Sequence, residues 1–224
     1  MRRNLWVLLF AALPLALHAD AGRLKNAEAV LTEMAGSVDT GIPRNLLTKA
    51  KCVVIVPGVK KGAIGVGGQY GRGYMSCRTD PSDAAPPTPS HWTAPAAIRI
   101  EGGSIGLQIG GTDTDVILLV MNDRGVERLM ASKFTVGAEA AVAAGPVGRQ
   151  ANASTDATMM AEILSWSHAR GAFAGVSLQG STLREDASEN KLLYGKDITN
   201  KEIIKSNVPP PAAAESFLKT LSKF

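Results

Sequence analysis

Six glycines lie in the twelve residues from position 62 to position 73, within a stretch that otherwise has the composition of a β-strand and ends at Cys77. Glycine at this density in a strand indicates bulges, bends or another backbone in close contact. The whole chain has 23 glycines but only 5% aromatic residues. We therefore expect bent, tightly packed strands and turns rather than large aromatic pockets.

Short apolar runs predict the other strands. The run Val53–Val56 is ended by Pro57-Gly58, and residues 59–62 form the turn after it. Further strands are predicted at 63–77, 92–100, 104–110, 116–121 (after a polar turn at 111–115), 134–144, 160–168 and 172–179. The pattern predicts an α+β fold: a mostly antiparallel, Gly-rich β-sheet, able to curl into a barrel, with flanking helices at the N- and C-terminal ends.

Helical periodicity marks the two ends of the chain. Leu24, Ala27, Leu31 and Met34 recur at helical spacing and predict an amphipathic helix over about residues 22–35. Other helical segments are predicted after Pro43, after the Asn122-Asp123 cap, near 184–192 and 200–206, and at the terminus around Phe217, Leu218 and Leu221, behind a Pro209–Pro211 spacer. The Pro-rich residues 79–91 predict a solvated loop.

The first residues have the pattern of a signal peptide. Arg2 and Arg3 precede the apolar run Leu5–Leu17, and Ala19-Asp20-Ala21 supplies a small-x-small cleavage site. The run is shorter than the roughly 20 apolar residues of a membrane-spanning helix. We expect cleavage near Ala19 to Ala21 and a periplasmic or secreted protein without a lipoprotein Cys, the alternative being an uncleaved N-terminal anchor.

Length and composition then predict the domain organisation. The chain has 224 residues, enough for one domain with a proper core. The predicted parts are a signal peptide at 1–21, a single domain at 22–206, and a Pro-rich spacer with a C-terminal helix at 207–224. The net charge is +4, and +3 without the first 21 residues, which carry two Arg and one Asp. This is too little for a nucleic-acid binder but suits weak attraction to anionic surfaces.

Cys52 and Cys77 are the two cysteines of the chain. Disulfides persist in exported proteins. If the run that Cys52 opens pairs antiparallel with the stretch that Cys77 closes, both residues lie at the same end of the pair. We therefore expect a disulfide between them, with two buried free thiols as the alternative.

The strongest enzymatic motif is Gly102-Gly-Ser-Ile-Gly106, which matches the Gly-x-Ser-x-Gly of a hydrolase nucleophile elbow. That chemistry needs Ser104 on a sharp strand-to-helix turn, whereas the residues after it are strand-like. His168 follows Ser104 in the order a hydrolase requires, with Asp113, Asp115, Asp123 and Asp156 between them. The α/β alternation is missing, so a serine hydrolase using Ser104 remains only an alternative to a non-catalytic protein.

Cofactor and metal motifs are incomplete. A dinucleotide fingerprint begun at Gly65 or at Gly71 has Tyr70 or Ser76 where its third glycine should stand, and there is no P-loop. Asp113 and Asp115 lack the other ligands of a calcium loop. His91 and His168 have no partners at zinc spacing. We expect no cofactor and no metal.

A membrane-facing surface is the remaining hypothesis, since amphipathic helices beside basic residues dock on anionic lipid. Its candidate residues are the apolar Leu24, Leu31 and Met34, which could insert, and the basic Arg23, Lys25, Lys49, Lys51, Lys60 and Lys61. Charge reversal of Lys25, Lys60 and Lys61 is then expected to weaken lipid binding. The alternative is an ordinary solvated helix that covers the sheet.

Several blocks in order resemble the SYLF domain family. They include 50–57, 65–68, 92–95, 102–110, 114–122, 145–149 and 161–180, and the resemblance extends over about residues 24–206. It implies phospholipid binding and offers no catalytic motif to transfer; eukaryotic members bind phosphoinositides, and some yeast members bind actin. We therefore expect an exported bacterial member that docks reversibly on anionic phospholipid, with an envelope protein partner as the other non-catalytic possibility.

Overall fold

The computed structural model describes residues 15–37, 41–79, 91–138, 142–147, 161–169, 180–206 and 208–224. The described helices are α1 Leu15–Gly36, α2 Arg44–Lys49, α3 Asp123–Leu129, α4 Ala187–Tyr194, α5 Asn200–Lys205 and α6 Glu215–Leu221, the last after a 3-10 turn at Ala212–Ala214. The described strands are β1 Cys52–Cys77, β2 Ala96–Val120, β3 Lys133–Thr135, β4 Val142–Ala144, β5 Ile163–Ala169 and β6 Thr182–Glu185. Most of the predicted 79–91 loop and the predicted 172–179 strand lie outside the described residues.

Two long strands organise the sheet. β1 and β2 pair antiparallel along almost their whole length, from Cys52 opposite Val120 to Met75 opposite Ala96. The other edge of β2 pairs with β6 at residues 98–101 and with β5 at residues 114–120. β3 lies beyond β6, and β4 joins β5 in the one parallel pairing of the described strands. The sheet curls into a half-barrel, which confirms the predicted α+β, mostly antiparallel fold.

The prediction that Pro57-Gly58 ends the first strand is wrong. β1 continues through this dipeptide with a register shift between Val56 and Val59. Gly58 adopts a φ of 58°, and its N–H donates a hydrogen bond to Asp115 Oδ1 at 2.7 Å. The bulge therefore absorbs the proline inside the strand, because glycine reaches this left-handed conformation without steric cost.

The predicted polar turn at 111–115 is also strand. Thr112, Asp113 and Thr114 stand opposite residues 61, 60 and 59 of β1, so the ladder continues past them. Two further boundaries differ from the sequence prediction. The predicted strand at residues 134–144 corresponds to two strands, β3 and β4. Arg184, predicted to be helical, lies in β6, because α4 begins only after Asp186, whose side chain caps it by accepting a hydrogen bond from Glu189 N–H.

The glycines let β1 fold back on itself. A Cβ on Gly73 would lie 2.0 Å from Ile55 O and 2.7 Å from Val56 Cα, and one on Gly71 would lie 2.8 Å from side-chain atoms of Val56 and Val59. The second half of β1 therefore passes directly against its first half at two residues without side chains. This confirms the expected close backbone contact.

The ends of the bent strand are joined by the predicted disulfide between Cys52 and Cys77. Arg78 N–H also donates to Lys51 O at 2.7 Å, just outside the bridged residues. The geometric reason differs from the one expected from sequence. The two cysteines meet because one continuous strand bends back, and not because two separate strands form a hairpin.

Replacement of both cysteines by alanine should lower the free energy of unfolding by about 3 kcal/mol, since the bridge closes a loop across a sequence separation of 25 residues. Urea unfolding with and without reductant measures this. Reductant should destabilise the wild-type protein and leave the double variant unchanged. Equal stability of the oxidised and reduced wild type would contradict a stabilising bridge.

Helices cover both faces of the sheet. Alternate residues of β1 divide between two cores: Val53 and Ile55 pack with α1, α2 and α6, whereas Val54 and Val56 pack with α3 and α5. The terminal α6 contributes Phe217, Leu218 and Leu221 to the first of these cores. The helices near both ends of the chain, α1 and α6, therefore help to bury one face of the sheet. The domain boundaries predicted from sequence stay a prediction.

Local signals placed several helices correctly. Pro43 caps α2, Asn122 accepts a hydrogen bond from Gly125 N–H at the start of α3, and Thr199 forms a capping box with Glu202 at the start of α5. α1 begins earlier than predicted and runs through Ala19–Ala21. None of the described helices has the length and apolarity needed to cross a membrane.

Candidate functional site

The apolar residues predicted to insert into a membrane are in the core. Leu24, Leu31 and Met34 are 1%, 0% and 1% exposed, because this stripe of α1 packs against β1 and α6. Insertion would therefore require α1 to detach from the sheet. The apolar stripe of α1 thus covers the sheet, which was the alternative given for this helix, and its three residues do not form a membrane-facing surface in this structure.

Half of the predicted basic residues are engaged in ion pairs. Arg23 pairs with Glu189, Lys51 pairs with Asp123, and Lys60 pairs with Asp113. For Lys25, Lys49 and Lys61, by contrast, no acidic partner lies within ion-pair distance among the described residues.

The predicted basic residues do not converge on one patch. Lys51 and Lys60 are separated by nine residues of extended β1 backbone, which corresponds to roughly 30 Å. Lys60 and Lys61 lie opposite Asp113 and Thr112 in the middle of the β1–β2 ribbon, whereas Lys49 and Lys51 lie at its disulfide end. The six cations are therefore distributed over separate surfaces.

A different group of residues does form a concave site. A cleft of 490 Å³ opens where the C-terminal end of α1, the start of α2 and the end of the chain meet. We call it the basic cleft, and its lining consists of Thr32, Ala35, Gly36, Ser37, Gly41, Ile42, Pro43, Arg44, Thr220, Lys223 and Phe224.

Main-chain hydrogen bonds fix the turn that forms one wall of the basic cleft. Ile42 N–H donates to Met34 O at 2.8 Å, and Gly41 N–H donates to Ser37 O at 3.1 Å. Gly41 is required at this turn because a Cβ there would lie 2.2 Å from Ser37 O. The chain then enters α2 through Pro43, whose fixed φ suits a helix start.

Arg78 connects the C-terminal end of α2 with the last residue of the chain. Its guanidinium donates to Ala50 O at 3.0 Å, to Leu47 O at 3.3 Å and to Phe224 O at 3.0 Å, and it lies 4.4 Å from the centre of the Trp92 ring. Burial lowers the pKa of the Arg78 guanidinium, which still leaves it charged at neutral pH. Arg78 therefore holds α2 and the chain end together beneath the cleft.

The charged side chains among the described lining residues of the basic cleft are cations. Arg44 lies 5.7 Å from the centre of the Phe224 ring, and Lys223 is the second cation of the lining. No acidic side chain is among the described lining residues. Lys49 on α2 and Lys219 on α6 are also exposed. The cleft combines two cations with the partly exposed apolar side chains of Pro43 and Phe224, which suits an amphipathic anion.

A buried ionic cluster fixes the other end of α1. The side chain of Glu189 is only 2% exposed. It pairs with Arg23 of α1, accepts a hydrogen bond from the Tyr74 hydroxyl at 2.7 Å and forms an ion pair with Arg72 at 3.6 Å. Arg72 also pairs with Asp186 at 2.7 Å. Burial alone would lower the pKa of the Arg23 guanidinium, but its hydrogen bond to Glu189 and the charge of that carboxylate raise the pKa above its ordinary value. These contacts hold α1 against β1 and α4.

The catalytic alternative does not have its required geometry. Ser104 stands opposite Gly67 within the continuous strand β2, so its backbone is not at a strand-to-helix turn. Asp113 and Asp115 lie in the same strand, where they contact Lys60 and the Gly58 N–H. No group of potential metal ligands occurs among the described residues.

The fold defines a helix-covered, glycine-rich antiparallel β half-barrel with a basic cleft at the meeting point of its terminal helices. The family model described as "Ysc84: Las17-binding protein actin regulator" matches residues 101–224. The chain belongs to this Ysc84 family, the SYLF family that its sequence blocks resemble.

The similar proteins are longer than this chain. The SH3 domain-containing protein PJ696.02 of Schizosaccharomyces pombe is 34% identical over 94% of the chain and 48% of its own length. The human SH3 domain-containing YSC84-like protein 1 is 31% identical over 95% of the chain and 60% of its own length. Protein YSC84 of Saccharomyces cerevisiae is 31% identical over 82% of the chain and 38% of its own length. The chain thus spans about half the length of the curated relatives it matches, and these relatives are named as SH3-containing or YSC84-like proteins, not as enzymes.

Proposed function

We propose that this protein is a non-catalytic module that docks reversibly on anionic phospholipid through the basic cleft. The observation that carries the proposal is the lining of the cleft, where Arg44 and Lys223 stand beside apolar side chains and no described lining residue has an acidic side chain. A phospholipid combines an anionic phosphate with apolar chains, so both parts of the molecule have matching surface there.

The proposed contacts follow from this lining. The two cations bind the phosphate, while the partly exposed Pro43 and Phe224 contact the glycerol and the first acyl carbons. Each basic side chain near an anionic membrane contributes about 1 kcal/mol. Lys49 and Lys219 add long-range attraction from the flanks. Docking by this route leaves Leu24, Leu31 and Met34 in the core and needs no opening of α1.

The proposed location is the periplasm or the extracellular space, as the first 21 residues predict. The basic cleft is compatible with removal of that segment, because its lining begins at Thr32. Cleavage near Ala19 to Ala21 would leave most of α1 in place, including Arg23 and the contact of Arg23 with Glu189.

Charge reversal separates the basic cleft from the surface first expected from sequence. The pair Arg44→Glu and Lys223→Glu changes the local charge by four units and should weaken binding to anionic vesicles by about 100-fold or more. The matched pair Lys60→Glu and Lys61→Glu makes the same charge change in the middle of the ribbon and should weaken binding by only a few-fold through net charge.

Vesicle co-sedimentation across a range of lipid concentrations measures both affinities, and circular dichroism checks that the variants are folded. Lys25→Glu, on the exposed face of α1, should behave like the ribbon pair. A larger loss for the ribbon pair than for the cleft pair would contradict docking through the cleft and would restore the surface expected from sequence.

A protein partner is the second candidate, and the names of the relatives favour it. The family is described by Las17 binding and actin regulation, and one yeast relative is named LAS seventeen-binding protein 3. These words describe those proteins. For this chain they support an envelope protein partner if vesicles of every composition fail to bind it.

A further inference from the structure

A row of four cations, none of which lines the basic cleft, crosses the sheet. Arg72 of β1 stands opposite Arg99 of β2, Arg99 stands opposite Arg184 of β6, and Arg184 stands opposite Lys133 of β3. We call these four residues the basic ladder. Directly opposed residues share a face of the sheet with Cα atoms about 5 Å apart, so the ladder spans about 14 Å.

Such a row costs stability unless something balances it, because like charges directly opposite each other in a sheet repel. Inside the protein, Arg72 pairs with Asp186 and with Glu189, a carboxylate that it shares with Arg23, while Arg99 and Arg184 share Glu101 at 2.7 and 3.2 Å. Lys133 has no acidic partner among the described residues. The described carboxylates therefore leave positive charge on the ladder that an external anion can neutralise.

The ladder borders an open polar cleft. Its volume is 480 Å³, and its lining is Gln69, Tyr70, Glu101, Gly102, Gly103, Lys133, Gly180, Thr182 and Arg184. None of these described lining residues has an aliphatic side chain, so an acyl chain would gain no apolar contact there. The opposite face of the same strands is the core, with Ile98, Ile100 and Leu183 buried. The ligand that fits this face is polar and anionic.

Tyr70 adds a flat surface beside the cations. The residue is 46% exposed, and it stands opposite Glu101 in the register of β1 and β2. An exposed phenol ring packs well on the C–H face of a sugar ring, while Glu101, Thr182 and Gln69 offer hydrogen bonds to hydroxyl groups. A stacking ring, planar polar groups, the ion-paired Arg184 and Lys133, which has no described acidic partner, lie in one open cleft and match a sugar that carries negative charge.

We propose that this sheet face binds an acidic carbohydrate, with the carboxylate or other anionic groups of the sugar on Lys133 and Arg184 and a sugar ring on Tyr70. The site is separate from the basic cleft and goes beyond lipid docking. Nucleic acid is the less suitable polyanion, because the net charge of the whole chain is only +4.

Fluorescence anisotropy with labelled oligogalacturonate, a polymer of a carboxylated sugar, tests the proposal. The wild-type protein should bind it, and the pair Lys133→Glu and Arg184→Glu should bind it about tenfold or more weakly. Tyr70→Ala should weaken binding several-fold without changing charge. The matched pair Lys201→Glu and Lys205→Glu, exposed on α5, should retain near wild-type affinity.

Competition identifies the ligand class. Unlabelled oligogalacturonate should displace the probe, whereas neutral dextran and inorganic polyphosphate should displace it poorly. Absence of binding, equal loss in both charge-reversed pairs, or equal competition by polyphosphate with no effect of Tyr70→Ala would overturn the proposal. The ladder pair should still bind anionic vesicles, so failure of this site is distinguishable from failure of the basic cleft.

Discussion

Replacement of Gly73 by alanine should lower the free energy of unfolding by about 3 kcal/mol or more, the upper end of the range for overpacked cores. The added Cβ would lie 2.0 Å from Ile55 O and 2.7 Å from Val56 Cα. Both are backbone atoms of the same bent strand, so no side-chain rotation can relieve the contact. The two halves of β1 would have to separate, although their ends are joined by the disulfide.

Gly62→Ala is the matched control for this prediction. Gly62 lies in the same strand, and a Cβ placed on it would meet no heavy atom within 4 Å. Its free energy of unfolding should stay within about 0.5 kcal/mol of the wild-type value, as is usual for exposed positions. Urea unfolding of both variants gives the comparison. Equal stability of the two would show that β1 does not fold back in the way described.

Replacement of Glu189 by methionine should cost about 3 kcal/mol, because the loss of one partner leaves buried charge uncompensated. Glu189 accepts hydrogen bonds from Arg23 and from the Tyr74 hydroxyl, and it forms an ion pair with Arg72. Its removal should also loosen α1, since Arg23 belongs to that helix. Hydrogen exchange of α1 amides should then rise more than exchange in the β1–β2 ribbon.

A double-mutant cycle isolates the ionic contribution. When Arg23→Met is combined with Glu189→Met, part of the lost stability should return, because two apolar side chains replace a charge and its partner. Glu127→Gln, an exposed carboxylate on α3, serves as the control and should have little effect. Strict additivity of Arg23→Met and Glu189→Met would contradict a direct coupling between α1 and α4.

Local sequence patterns correctly predicted the structural features that depend on residues close together in the chain. The spacing of Leu24, Ala27, Leu31 and Met34 predicted α1, and the Asn122-Asp123 cap predicted α3. The glycine density predicted close backbone contact, which Gly71 and Gly73 confirm. In each case a short-range preference agrees with the tertiary structure.

The features that the sequence predicted wrongly depend on contacts between residues far apart in the chain. Pro57-Gly58 and the polar residues 111–115 have the composition of turns, but β1 and β2 supply each other with ladder partners and keep both segments extended. The apolar stripe of α1 did not reveal whether sheet or lipid would cover it. The cluster around Glu189 joins residues more than one hundred positions apart, so no local spacing could have indicated it.

The same limit applies to the candidate sites. The position of Arg44 beside Lys223 depends on the chain end folding back to α2. The basic ladder depends on the register of four strands, and a shift of one residue in any of them would move its cation to the other face. Charge composition alone therefore predicted attraction to anions without locating the surfaces responsible.

Co-sedimentation of the chain from Gly22 onward with neutral and anionic vesicles, at low and high salt, tests the central claim most directly. Docking through the basic cleft predicts binding that requires anionic lipid and weakens as salt screens the charges. Binding that is equally strong on neutral vesicles or in high salt would contradict electrostatic docking and indicate apolar insertion instead. Absence of binding under every condition would contradict lipid docking altogether and favour a protein partner.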